Sequence, residues 1–120
     1  MMHRLELERF ADLPVHGLSY GTLKRIELAR ALAASPRLLL LDEPAAGLTH
    51  PEVDELVELL RELKRASELT IVVVEHHMRL VMALSDRIAA LNFGRLLVYG
   101  NPFDVAINPV VVEAYFGGSE

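Results

Sequence analysis

Apolar residues fall along this chain in two kinds of spacing. Residues 38–41 (LLLL) and 70–74 (TIVVV) are short and apolar throughout. Such runs predict strands covered on both faces, inside a parallel sheet, and the second is β-branched besides. Between them, Val53, Leu56, Val57, Leu60 and Leu63 recur every three or four residues, with Glu55, Glu58, Glu62 and Arg65 opposite. That spacing predicts an amphipathic helix over 51–66, started by Thr49 as cap, Pro51 in the first turn and Glu52 three residues after the cap. A second helix is predicted from residue 22, with Leu23, Ile26, Ala29 and Ala33 on one stripe, Leu28 and Leu32 widening it, and Lys24, Arg25, Glu27 and Arg30 opposite; Ser35-Pro36 stops it. Shorter helices are predicted over 4–12, ended by Leu13-Pro14, and over 77–85. Segments 87–91 and 96–99 flank Asn92-Phe93-Gly94-Arg95 and predict a hairpin. Asn101-Pro102 and Asn108-Pro109 each announce a short helical piece. The order helix, strand, helix, strand, helix, hairpin is α/β. The two interior-type strands look built to sit between neighbours that these residues do not supply.

Composition narrows the classes. The 120 residues fit one domain, and 52% apolar content supplies a core and excludes disorder. A formal charge of −5 is wrong for a surface that coats nucleic acid. With no cysteine there is no disulfide framework, thiol nucleophile or cysteine metal site. The first ten residues, MMHRLELERF, carry charges where a signal peptide needs an apolar run, an expectation against secretion. No apolar stretch approaches the roughly 20 residues of a membrane-spanning helix.

Chemistry gathers at three places. Ligands of an open parallel sheet bind outside the carboxyl ends of its strands, and there the sequence puts Asp42-Glu43 and Glu75-His76. Two adjacent acids suit magnesium-assisted hydrolysis of a phosphate ester or anhydride: one helps hold the metal through water, the other polarises the attacking water. A histidine on the neighbouring strand can reach the terminal phosphate. The plainer reading makes Asp-Glu-Pro a helix cap, His76 structural and Glu75 a surface acid at a strand end. His76-His77 lacks the H-x-x-x-H spacing of a helical zinc site. The third place is the loop HGLSYG (16–21), where a serine and glycines before a helix offer a hydroxyl, backbone N–H groups and the positive end of a dipole to an anion.

In this order the segments resemble a known family. LSYGTLKRIELARAL (18–32) resembles the signature motif and helix of ABC-transporter ATPases, LLLLDEP (38–44) their Walker B strand and catalytic glutamate, AAGLTHPE (45–52) their D-loop and VVVEHHM (72–78) their H-loop. Residues 75–118, with the ending NPVVVEAYFG, are similar to the C-terminal part of the ATP-binding subunits of branched-chain amino-acid importers. The resemblance implies a P-loop NTPase core of which this is the C-terminal portion, an α/β arrangement with parallel strands, signature helix, hairpin and short helices. It implies Glu43 as the residue that activates or positions water, Asp42 as a magnesium ligand through water and His76 as the switch histidine. Leu18, Ser19, Tyr20, Gly21 and Thr22 would form the signature loop, with Ser19 and Gly21 contacting the γ-phosphate of a nucleotide held by the opposite subunit. Gly47, Leu48 and Thr49 would line the dimer interface. The implied cofactors are Mg2+ and ATP. The implied partners are a second ATPase subunit and transmembrane permease subunits, through which the protein would lie at the inner, cytoplasmic face of the membrane. Tyr20 stands where the family's signature has its second glycine, Thr22 where it has glutamine, Thr49 where the D-loop has aspartate, and His77 where aspartate follows the switch histidine.

A Walker A loop needs Gly-x-x-x-x-Gly-Lys-Ser/Thr, because its amides wrap the phosphates and its lysine neutralises them. The two lysines, Lys24 and Lys64, are each preceded by leucine and followed by arginine, so no Walker A motif is present. The expectation is a chain that by itself neither grips nor hydrolyses ATP, carries the signature side of the sandwich, and self-associates through uncovered strand edges. Three other readings compete. A regulatory module that pairs with an intact ATPase would co-purify with it and slow it. A non-transport ABC-type ATPase would carry a coiled coil, zinc module or basic surface. A helicase-type ATPase matches only the DEP.

Overall fold

The computed structural model describes residues 7–12, 14 and 16–117. They divide into two compact units, Met1–Leu80 and Val81–Glu120, with the division inside a helix, Met78–Leu84 (labelled α3 below).

The first unit opens with a 3-10 turn, Glu8–Phe10, in the part of the expected 4–12 helix that is described; residues 4–6 and 13 lie outside the described residues. Helix α1 is Tyr20–Leu32, two residues earlier than the periodicity placed it. The cause is Ser19: extended at φ −62°, ψ 155°, its side chain accepts from the Thr22 N–H and starts the helix there. The buried side of α1 is Leu28 and Leu32, with Leu23, Ile26 and Ala29 half-covered and Ala33 exposed, so the inward face is centred on the residues expected only to widen the stripe.

Strand β1 (Leu38–Asp42) and strand β2 (Thr70–Val74) pair in parallel, Leu38 with Thr70 through Asp42 with Val74. They are joined through helix α2, His50–Ala66, the long crossover that a parallel pair requires. Thr49 caps α2, Pro51 lies in its first turn, and Val53, Val57, Leu60 and Leu63 are buried as the stripe predicted, with Leu56 half-covered. Val53 and Leu60 are fully buried, worth about 1.5–3 kcal/mol each.

The expectation that both strands are covered on both faces is corrected. Burial alternates: Leu39 is buried, while Leu40 is 68% and Val74 61% exposed, and Leu38 and Val72 are exposed beside them. Among the described residues this sheet has two strands, and the face carrying Leu38, Leu40, Val72 and Val74 is exposed.

The second unit is assembled locally. Strand β3 (Ile88–Asn92) and strand β4 (Arg95–Gly100) pair antiparallel. The turn is shorter than the four residues expected: Phe93 (φ 48°) and Gly94 (φ 77°) form a two-residue link with positive φ at both positions, which the right-handed twist of a tight hairpin favours. A bulge between Ala90 and Leu91 shifts the register. Leu97 and Val98, on the opposite strand there, both pack against the buried cluster Ala90, Val105 and Val111. Helices α4 (Pro102–Ile107) and α5 (Pro109–Val112) start as predicted, capped by the side chains of Asn101 and Asn108 with proline in the first turn. The Tyr115 hydroxyl donates to the Leu91 carbonyl and ties the closing turn, Glu113–Gly117, to β3.

Candidate nucleotide-hydrolysis site

The carboxyl ends of β1 and β2 lie side by side because the register pairs Asp42 with Val74. The ladder runs one residue further, the Glu43 N–H donating to the Val74 carbonyl at 2.7 Å. The chain then turns sharply. Glu43 has φ +47°, a left-handed conformation that costs a residue with a Cβ about 1–2 kcal/mol. Ala46 N–H closes back on the Glu43 carbonyl at 3.1 Å, and Leu48 N–H on that of Ala45 at 3.1 Å. The result aims the Glu43 side chain outward, 54% exposed, with Oε1 3.5 Å from His76 Nδ1. Strained backbone at a polar residue on a sheet edge points to use rather than to stability. Both side chains are largely solvated, so their attraction is worth at most about 1 kcal/mol, and only with the imidazole protonated. It positions more than it stabilises.

Glu75 was expected at the surface and is not there. Its side chain is 1% exposed. Oε2 accepts from the Ala45 N–H at 3.0 Å, and Oε1 accepts from the N–H groups of His76 at 3.1 Å and His77 at 3.3 Å. His76 Nδ1 lies 3.7 Å from the same Oε1. The second histidine turns inward: its Nδ1 is buried without a hydrogen-bond partner among the described residues, and its ring meets that of His50 edge-on at 6.1 Å.

The signature and D-loop residues form a separate assembly. Ser19 Oγ, besides capping α1, donates to Thr22 Oγ1 at 2.8 Å, so Thr22 serves the cap in the position where glutamine was the expectation. Thr49 Oγ1 donates to Glu52 Oε1 at 2.9 Å and accepts from the Glu52 N–H at 3.4 Å. The starts of α1 and α2 meet at two glycines. A Cβ on Gly21 would lie 2.8 Å from Glu52 Oε2, and one on Gly47 (φ +79°) would lie 2.7 Å from a Tyr20 ring carbon. One turn further along, Arg25 pairs with Glu55 at 2.9 Å, and Lys24 Nζ sits 5.3 Å from the centre of the Tyr20 ring. Ser19, Gly21, Thr22, Arg25, Leu48 and Glu52 are among the residues around a cavity of about 220 Å3. Leu18 is half-covered in the turn before α1.

The expected site residues therefore come together as two groups. Asp42, Glu43 and His76 share the strand ends; Ser19 through Thr22 share the other place with Gly47 to Thr49. Asp42 lines a different cavity, of about 240 Å3, with Lys24, Leu28 and residues 39–41. Two participants were missed. Glu52 was read as a cap alone, yet its carboxylate faces Gly21; the capping spacing already located it. Glu75 gave no signal, since its main donor lies thirty residues earlier in the sequence.

The ABC transporter family model matches residues 1–46. LivG, the high-affinity branched-chain amino acid transport ATP-binding protein of Salmonella typhimurium, is 43% identical over 97% of this chain and 46% of its own length. Over nearly its whole length the chain is similar to the C-terminal half of ABC-transporter ATP-binding subunits. BraF of Pseudomonas aeruginosa, another branched-chain amino acid transport ATP-binding protein, is 40% identical over the same shares. A solved ATP-binding cassette of an ABC transporter in its ADP conformation superposes with a TM-score of 0.87 at 28% identity, over 97% of this chain and 47% of that one. The chain thus spans about half the length of the ABC relatives it matches, and its fold is that of the ABC ATPase cassettes over that span.

Proposed function

We propose that this chain is the signature and Walker B half of the ATP-hydrolysing subunit of an importer for branched-chain amino acids. The observation that carries the reading is the convergence of Glu43 and His76, 3.5 Å apart, on one edge of a parallel pair, in a chain whose relatives named for that transport match over nearly its whole length.

Asp42 supplies one exposed, hard oxygen at the strand end. Among the described residues no three or more His, Cys, Asp or Glu gather to hold a metal; Asp42 would hold a magnesium through water, with the ion's remaining ligands coming from outside the chain. When bound, that ion neutralises charge on the phosphates. The chain's own residues do the rest. Glu43 accepts a hydrogen bond from a water and points its oxygen along the line of attack on the terminal phosphate. His76 donates a ring N–H to an oxygen of that phosphate. The first N–H groups of α1 have no acceptor within the helix, and with Ser19 they face a second nucleotide, held by the other subunit. Two groups serving two nucleotides accounts for the separation of the signature residues from the strand ends. A permease partner at the inner membrane face completes the assembly.

With no phosphate-wrapping loop in its sequence, this polypeptide binds ATP only when a Walker A half is supplied. Calorimetric titration of the chain with Mg-ATP is expected to give no micromolar binding. Co-expression with the N-terminal half of a LivG-type subunit is expected to give ATP turnover. Turnover unchanged by Glu43→Gln in that assembly would overturn the proposal.

A further inference from the structure

Glu75 carries no role in the assignment above, yet it is the most deeply buried acid at the strand ends. A carboxylate 1% exposed must be hydrogen-bonded where it sits, and its partners are unusual in origin. One oxygen takes the N–H of Ala45, two residues beyond Glu43 in the turn that leaves β1. The other takes the N–H groups of His76 and His77, where the chain leaves β2. These are charge-assisted bonds to backbone, stronger than neutral ones. They join two segments that are otherwise connected at this edge by the Glu43–Val74 backbone bond. The acid is thus a bracket: one arm fixes the turn that aims Glu43, the other fixes the backbone of His76.

The geometry points to Glu75 as a positioning residue that sets Glu43 against His76 by clamping the backbone of both segments. The inference rests on the roles given to Glu43 and His76 in the proposed function, but its geometric half stands without them. Glu75 touches no reacting atom; it acts through Ala45 and His76.

The test starts with the full 120-residue chain, isotopically labelled, and amide hydrogen exchange read by NMR. In the unaltered chain the N–H groups of Ala45, His76 and His77 are expected to be protected; free exchange at Ala45 overturns the bracket whether or not any variant folds. Glu75→Gln keeps shape but has only one acceptor oxygen. It is expected to keep protection on one arm and lose it on the other, while Leu41 and Val72 in the parallel ladder stay unchanged. Protection retained on both arms in Glu75→Gln means the residue only fills space, and overturns the proposal. In the ATPase assembly formed with a Walker A half, Glu75→Gln is expected to lower kcat about 10- to 100-fold, the scale of a slight misplacement, with KM for ATP nearly unchanged. Glu43→Gln serves as the control. If it stops turnover while Glu75→Gln leaves kcat intact, the positioning role falls and the proposed function stands. If Glu43→Gln leaves turnover intact, the proposed function falls with the catalytic half of this inference, and the exchange data still decide the bracket.

Discussion

The two clusters of polar residues are held by different means. At the start of α1 and α2, each side chain is fixed mainly by neighbours three residues away: Ser19 by Thr22, Thr49 by Glu52. At the carboxyl ends of β1 and β2, the fixing bonds span about thirty residues, Glu43 to Val74 and Ala45 to Glu75. The first region is two capped helices touching through glycines. The second is a junction that exists only once the parallel pair has formed. The difference teaches that the helix starts hold their form from local chemistry, whereas the edge at the strand ends depends on tertiary pairing and on strain at Glu43.

Substitutions at the edge and at the helix starts should therefore separate activity from stability. The largest effect is expected for Glu43→Gln in the assembled ATPase: a fall in turnover of about 100-fold or more, with the melting temperature of the chain unchanged, because the side chain is mostly in water. Glu75→Ala sharpens the contrast. It leaves backbone donors without an acceptor and is expected to lower stability by about 1–3 kcal/mol in urea denaturation, against less than about 0.5 kcal/mol for Glu43→Ala. At the helix starts, Gly47→Ala is expected to cost about 1–2 kcal/mol for the positive φ alone, plus the clash with Tyr20. A double-mutant cycle with Tyr20→Ser should recover the clash and leave the φ cost; full additivity would show that the ring and Gly47 do not touch. The smallest effect is expected for Ser19→Ala, about 1 kcal/mol from the lost cap, measured by thermal melting with turnover recorded in parallel.

The same division decides what could be read in advance. Helix α2 was placed to within a residue because its stripe, its cap and Pro51 are all local. Asn101 and Asn108 announced α4 and α5 for the same reason. The start of α1 was missed by two residues since Tyr20-Gly21 looks like loop until Ser19 is recognised as the cap. The hairpin was foreseen but not its two-residue turn, because phenylalanine at positive φ is uncommon and here it is imposed by strand pairing. The alternating exposure of β1 was misread, as four leucines carry no polar signal of which face lies open. The gathering of Asp42, Glu43 and His76 at the strand ends was legible because each follows an apolar run. Glu75 was not: an acid at a strand end is ordinarily solvated, and nothing near it in sequence reveals the Ala45 amide that draws it inward.

One bare sheet face has a practical result. Leu38, Leu40, Val72 and Val74 present a greasy patch on a sheet of two strands among the described residues, the kind of surface on which copies stick together. Concentrated stocks of this polypeptide should scatter light and shed particles on storage, and Leu40→Lys should keep them clear.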